Sequence, residues 1–382
     1  MIYLDNNATT RVADEVLAAM TPYYREIYGN AHAIHSLGRR AHDAVEESRD
    51  ELARLLGCDR AEVIFTSCGT EGNAMVIRGL VDQRTADRHP DRRKVVTTSV
   101  EHPSVLLLLR ALEREGVIEL AIVPVDTGGA IDLDRMRDAI DERTLLVSVM
   151  LAQNETGVLH PVAQIAELAH ARGACVHVDA VQAAGKVPLD QRALGADFVT
   201  ISGHKFHAPK GIGALTIRRG LALQPLWLGG GQELGMRSGT EAVPAIAGLA
   251  AASRLAREAL ASYADVRALR DRLESSILAR VEETSVNGGT QPRLGNTANI
   301  SFHDVAADEV VRALDAEGIC VSAGAACHSG TVEPSGTMKA MGRPLRVAMG
   351  AVRFSLSRYT TAEEIEQTVD AVSSRVLAMH AK

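Results

Sequence analysis

No apolar run in this 382-residue sequence approaches the roughly 20 residues needed to cross a bilayer. The amino terminus, Met1-Ile-Tyr-Leu-Asp-Asn-Asn-Ala-Thr-Thr10, lacks the basic start and apolar core of a secretory signal, so the cytoplasm is the expected location. Blocks of basic residues are missing too. With 41 Lys and Arg against 48 Asp and Glu, the formal net charge is −7. That balance argues against direct binding to a phosphate backbone, and any role near nucleic acid is expected to be indirect. The five cysteines (Cys58, Cys68, Cys175, Cys320 and Cys327) are odd in number and form no C-x-x-C pair. This argues against a disulfide framework or a zinc site and leaves room for a free reactive thiol. No G-x-G-x-x-G follows the first strand and no G-x-x-x-x-G-K-[ST] occurs, so a nucleotide-binding dehydrogenase is disfavoured.

What is there is ordinary for a soluble globular protein, with 46% hydrophobic and 23% charged residues. The length exceeds a usual single core and predicts two domains, or one large domain with an appendage. Ser36 to Gly57 reads as an amphipathic helix, with Ser36 as its cap and Gly57 as its stop. Strand-like runs then alternate with helical stretches: Val63–Phe65, Val95–Val100, Leu145–Met150, Cys175–Val178, Phe198–Ile201 and Ala214–Ile217. Several are apolar on successive residues, as in strands covered on both faces, which predicts an α/β domain with a mainly parallel sheet. A long helical stripe (Leu255, Val266, Leu269, Leu273, Ile277, Val281) leads into a smaller α+β domain. That domain is predicted to hold a strand at Ala298–Phe302, a helix at Asp308–Glu317, a strand at Val352–Leu356 and a closing helix capped by Thr361 and Glu364. The expected division is a large domain over 14–254, and a small one made of 1–13 and 255–382.

Two of the strand runs end on charge. Phe198-Val-Thr-Ile-Ser-Gly-His-Lys205 closes on a lysine, and Ala174-Cys-Val-His-Val-Asp179 closes on a carboxylate. Charges at the ends of buried strands are costly unless paired or used. Two ordinary loop-edge charges are one reading. The other explains both at once: a Schiff-base lysine for pyridoxal 5′-phosphate, and the aspartate that keeps its pyridine nitrogen protonated. The remaining strand ends also carry polar segments, namely Thr66-Ser-Cys-Gly-Thr-Glu71, Glu101-His-Pro103, Gln153-Asn-Glu-Thr-Gly157 and Gln182 after Asp179. In open parallel sheets ligands bind at that rim, and the small-residue turn at Gly69 and Thr70 suits a phosphate.

These segments, together with Tyr3-Leu-Asp-Asn-Asn-Ala-Thr-Thr10, Ser202-Gly-His-Lys205, Pro209-Lys-Gly-Ile-Gly213, Gly229-Gly-Gly-Gln-Glu233, Arg237-Ser-Gly-Thr240, Gly324-Ala-Ala-Cys327 and Arg353-Phe-Ser-Leu356, occur in an order that resembles the cysteine desulfurases. Those enzymes belong to the fold-type I, class V aminotransferase superfamily, and the resemblance runs nearly end to end. It implies that Lys205 carries the cofactor, Asp179 pairs with the ring nitrogen, Gln182 contacts the ring hydroxyl and His102 stacks on the ring and assists proton transfer. It further implies that Gly69, Thr70, Ser202 and His204 hold the phosphate, which Thr240 reaches from the partner subunit of a homodimer. Asn154 and Arg353 would orient L-cysteine, the arginine by a planar two-bond fit to its carboxylate. Cys327, in the small-residue segment Ser322-Ala-Gly-Ala-Ala-Cys-His-Ser-Gly330, would take the sulfur as a persulfide and pass it to an acceptor protein. His328 beside it would lower the thiol pKa. The other four cysteines read as structural, Cys175 and Cys320 within strands.

Two positions depart from the family pattern: Cys68 stands where relatives have glycine, and Gly72 where they have a larger residue. The wording Gly-Ala-Ala-Cys-His is also similar to that of selenocysteine lyases. With the following Thr331-Val-Glu-Pro-Ser-Gly-Thr-Met-Lys-Ala-Met341 it most resembles the cysteine desulfurase of bacterial DNA phosphorothioation (Dnd) systems. Iron–sulfur cluster assembly is the other expected destination of the sulfur. An aminotransferase on the same fold and a non-catalytic sulfur carrier are the rival expectations.

Overall fold

A computed structural model describes residues 1–86, 91–324 and 333–381. Seven short, mostly apolar runs form one sheet: β1 (Val63–Thr66), β2 (Lys94–Thr98), β3 (Glu119–Val123), β4 (Thr144–Met150), β5 (Cys175–Asp179), β6 (Phe198–Ser202) and β7 (Gly213–Ile217). Their spatial order is β1-β7-β6-β5-β4-β2-β3. β7 runs against its neighbours β1 and β6, and the remaining pairs are parallel. Successive strand residues point to opposite faces, and both faces here are covered. Val63, Phe65, Val147 and Val176 enter one core, while Ile64, Leu146, Phe198 and Leu215 enter another on the opposite side. β3 was not expected from the sequence. It is an edge strand whose residues are mostly half-exposed, so no buried run marks it.

Helices α1 (Ser36–Leu56), α2 (Gly69–Ala86) and α3 (Pro103–Arg114) pack around this sheet. The cap of α1 is His35 and not Ser36: its Nδ1 accepts the Gly38 N–H, while Gly57 ends the helix at φ 64°. The long stripe expected from Leu255 to Val281 is two helices, α4 (Val243–Ala259) and α5 (Tyr263–Arg280), parted by a tight turn at Leu260–Ser262. The break falls where the burial partner changes. Leu255 and Ala256 pack on the large-sheet core, whereas Val266, Leu273 and Ile277 belong to a second core.

That second core fills a four-stranded antiparallel sheet ordered Ser322–Ala323, Ala351–Ser355, Thr297–Phe302, Thr284–Val286. The strand expected around Cys320 is divided between two sheets. Ile319–Cys320 pairs in parallel with Ile2–Tyr3, and Ser322 joins the four-stranded sheet. Helix α6 (Ala307–Asp315) and the closing helix α7 (Ala362–His380) cover it. In α7 the Thr361–Glu364 capping box forms, and Ile365, Val369, Val372 and Val376 are buried as the stripe predicts. The amino-terminal segment runs between the two cores. Asn7 N–H bonds Ser355 Oγ at 2.9 Å on one side, and Thr10 N–H bonds the His204 carbonyl at 2.9 Å on the other. No helix among the described residues is long and apolar enough to cross a membrane.

Candidate active site

The parallel strands deliver their carboxyl ends to one rim. β1 turns into α2 at Gly69, β2 leads to His102 at the head of α3, β4 leads to Asn154, β5 ends on Asp179, and β6 ends on Ser202 just before His204 and Lys205. Gly69, Thr70, His102, Asn154, Asp179, Gln182, Ser202, His204 and Lys205 line a single cavity of about 370 Å³, joined by Arg353 from the small sheet. Two further residues were expected at the site, Thr240 from a partner subunit and Cys327 as the nucleophile. Thr240 is exposed and does not line the cavity. Cys327, with His328, lies outside the described residues.

Lys205 Nζ donates to the carbonyls of Asn7 and Ala8 at 2.7 and 2.8 Å. Burial, helped by the positive charge of Arg353, pushes its pKa down to about 8. The Asp179 carboxylate is satisfied on both oxygens, Oδ1 by the Val181 N–H at 3.0 Å and Oδ2 by Asn73 Nδ2 at 2.9 Å. Asn73 Nδ2 also donates to Ser104 Oγ at 2.9 Å, and that hydroxyl lies 2.8 Å from His102 Nδ1. Because Nδ1 accepts the Ser104 backbone N–H at 3.1 Å, the ring proton of neutral His102 sits on Nε2. Burial lowers the His102 pKa, with Asp179 opposing and Lys205 reinforcing, so the neutral ring is favoured.

Gln182 Nε2 donates to the Asn7 carbonyl at 2.8 Å, and its Oε1 accepts from Lys186 Nζ at 2.8 Å. Arg353 Nη1 holds the Asn154 carbonyl at 2.9 Å and Nη2 holds Asp5 Oδ1 at 2.7 Å, while its Nε has no hydrogen-bond partner among the described residues. Glu101 is wholly buried beside the site, accepts from Thr98 Oγ1 at 2.6 Å, and is pushed up to about 8 by burial. Burial thus favours the neutral form of this carboxyl.

Sequence reasoning missed Asn7, Asn73, Ser104 and Glu101. Asn73 had a usable signal: it stands three residues after Thr70 on α2, hence on the same face. Cys68 was read as structural, but it is half-buried and lines the cavity wall. Gly72 is explained by proximity, since a Cβ there would come within 2.7 Å of Thr200 Cγ2 on β6.

The donor set fits pyridoxal phosphate. An added Cβ on Gly69 would meet Val181 Cγ2 at 2.7 Å, so the start of α2 lies tight against the turn after β5, with its backbone N–H groups open to an anion. Ser202 Oγ is buried beside it without a partner among the described residues, and such an orphan calls for a ligand. An amine, a carboxylate and a flat imidazole occupy the rest of the cavity. Among the described residues no cluster of His, Cys, Asp and Glu is arranged to hold a metal ion.

Comparison with known proteins agrees with this chemistry. The family description Aminotransferase class-V fits residues 2–368. "Cysteine desulfurase 2" of Trichormus variabilis (strain ATCC 29413 / PCC 7937) is 47% identical over 97% of this chain and 91% of its own length. A solved structure described as a NifS-like protein superposes with a TM-score of 0.91 at 36% identity, covering 99% of both chains. DndA from Streptomyces lividans superposes with a TM-score of 0.77 at 35% identity, covering 91% of this chain and 97% of that one.

Proposed function

Because this chain belongs to the class-V aminotransferase family, whose cofactor is pyridoxal phosphate, we infer that it is a cysteine desulfurase. L-cysteine and an enzyme thiol become L-alanine and an enzyme persulfide, and the sulfur then passes to an acceptor protein. The observation that carries this reading is the convergence of Lys205, Asp179 and Arg353 on one cavity, in a chain whose relative over nearly full length is named for that activity.

Bound in the cavity, pyridoxal phosphate supplies an electron sink for the pair released at the substrate Cα. Arg353 and Asn154 orient the substrate carboxylate. Lys205 would carry the cofactor, and burial, which pushes its amine down to about 8 in the ligand-free cavity, suits it to taking the Cα proton at Nζ. Asp179 would stabilise a proton on the ring nitrogen, Gln182 would donate to the ring hydroxyl, and His102 would lie against the ring with its Nε2 proton available for transfer. Gly69, Thr70, Ser202 and His204 bind the phosphate, His204 as a neutral donor because burial and nearby lysines hold it at about 4. The Cys327 thiolate attacks the substrate sulfur; the C–S bond breaks, its electron pair stays with carbon, and a proton completes alanine.

The domain division expected from the sequence, 14–254 against 1–13 with 255–382, is supported in outline by the presence of two cores, with Leu255, Ala256, Leu294, Met338, Met341, Ala348 and Ala351 crossing onto the large-sheet core. A homodimer is supported by exposed apolar side chains near Thr240, among them Trp227 (51% exposed) and Leu228 (89%). Ile34 (92%) is nearby, since His32 Nε2 lies 2.6 Å from Glu241 Oε1 and ties the two segments together. Thr240 would then serve the partner's phosphate site. For the sulfur's destination, DNA phosphorothioation is supported by the wording of Cys327–Met341 and the likeness to DndA. Iron–sulfur cluster assembly remains the rival destination. Transfer of ³⁵S from the loaded enzyme to candidate acceptors separates the two.

The test of the activity itself is direct. With L-cysteine and a thiol reductant the purified holoenzyme releases alanine and sulfide in equal amounts, and Cys327→Ser keeps the cofactor's absorption band but forms no persulfide. Full turnover by Cys327→Ser, or release of pyruvate in place of alanine, would contradict the reading. Selenocysteine as the sole substrate turned over would point to a lyase.

A further inference from the structure

Lys186 is buried, four residues beyond Gln182, and no carboxylate pairs with it among the described residues. Its amine donates instead to two neutral amides, Gln182 Oε1 at 2.8 Å and Asn7 Oδ1 at 3.2 Å. The charges that act on it are cations, Lys205 and Arg353. Together with burial, which matters most, they hold its pKa well below the ordinary lysine range. A buried amine without a counter-charge is unfavourable. No step assigned above uses it.

Both of its partners line the cavity. A side-chain amide fits its space either way round, and only its neighbours decide which end is oxygen. Lys186, a donor in either protonation state, draws both oxygens to itself. Asn7 Oδ1 is held in the same sense by Asn296 Nδ2 at 3.0 Å, which turns Asn7 Nδ2 to Thr297 Oγ1 at 2.9 Å. Gln182 Nε2 then spends one hydrogen on the Asn7 carbonyl at 2.8 Å and keeps a second for the cavity. That same carbonyl receives Lys205 Nζ at 2.7 Å. Lys186, Gln182, Asn7 and Lys205 thus form one connected set, in which the buried amine holds the oxygen end of both amides while the Asn7 carbonyl and Asn296 hold them in the same sense.

We propose that Lys186 is a positioning residue for the reaction: by holding Gln182 Oε1 and Asn7 Oδ1, it presents a Gln182 N–H to the ring hydroxyl of bound pyridoxal phosphate and keeps the Asn7 carbonyl on Lys205. This rests on the assignment of Gln182 to that hydroxyl and adds what enforces it. Without the amine, Gln182 Oε1 loses its donor and only the Asn7 carbonyl still holds the amide, so the presented N–H is weakened.

The experiment is a pH titration of the cofactor absorption band in four holoenzymes: wild type, Lys186→Met, Gln182→Met and the double variant. Lys186→Met is expected to move the midpoint in the same direction as Gln182→Met, by about half a pH unit or more, because a charge-assisted hydrogen bond to the chromophore is weakened. The double variant moves no further than Gln182→Met alone, as expected of residues acting through one contact. In Lys186→Met kcat falls about tenfold while KM stays within about twofold, and Lys186→Gln, which retains an N–H donor, recovers part of both. An unmoved midpoint in Lys186→Met, or effects of the two single variants that simply add, overturns the proposal. If Gln182→Met itself leaves the midpoint unmoved, the assignment of Gln182 fails first and the proposal with it. If neither Lys186 variant folds and takes up cofactor, Lys186 is a folding residue and the proposal is likewise overturned.

Discussion

The two carbonyls that receive the Lys205 amine, from Asn7 and Ala8, come from the far end of the chain, and the packing around the amine largely buries it. Burial disfavours the ammonium, which is why its pKa falls to about 8 from the usual 10.5. The sign of the consequence follows. Only the neutral amine attacks an aldehyde, and its population rises with pH through the folded pKa. Cofactor-free protein is therefore expected to take up pyridoxal phosphate faster as pH rises from 6.5 to 9, with a midpoint near 8, read from growth of the absorption band. A midpoint near the ordinary lysine value would mean that the amine is solvated. Lys205 and Asp179 were legible in the sequence because each ends an apolar run, which makes a charge conspicuous. Asn7 and Asn73 were not. Their importance lies in contacts to Thr297 and Asp179, 290 and 106 residues away in the chain, and no local pattern carries such pairings.

Among the elements, the central strands were readable because they are covered on both faces and so are apolar at consecutive positions. The half-exposed edge strand β3 escaped, and the α4–α5 break was hidden because Leu255 and Val266 continue one helical spacing while packing on different cores. The β1–α2 turn was legible from its small residues. Its geometry explains them: the Gly69 position leaves only 2.7 Å between a built Cβ and Val181 Cγ2. Gly69→Ala is expected to shift the start of α2, destabilise the protein by about 1–3 kcal/mol through overpacking, and weaken cofactor binding about tenfold, 1.4 kcal/mol being one decade of affinity. Equilibrium binding of pyridoxal phosphate measures this. Unaltered affinity would show that the backbone at Gly69 does not contact the phosphate.

At the scale of the whole molecule, the cavity is closed by parts far apart in sequence: the rim of the large sheet, the amino-terminal segment that bridges both cores, and Arg353 from the small sheet. The proposed homodimer adds Thr240 from a second copy. The exposed side chains of Ile34, Trp227 and Leu228 would then be covered by that copy. Sedimentation of the wild-type protein is expected to give a dimer, and Ile34→Glu combined with Leu228→Glu a monomer with weakened cofactor retention. A wild-type monomer with full activity would remove the partner's role. The claim on which everything else depends is that the cofactor is joined to Lys205, and borohydride reduction followed by peptide mapping measures it most directly. The account predicts a reduced pyridoxyl group on the peptide containing Lys205 and no adduct in Lys205→Ala. An adduct on Lys186 or any other amine, or none at all in protein that turns over L-cysteine, would contradict it.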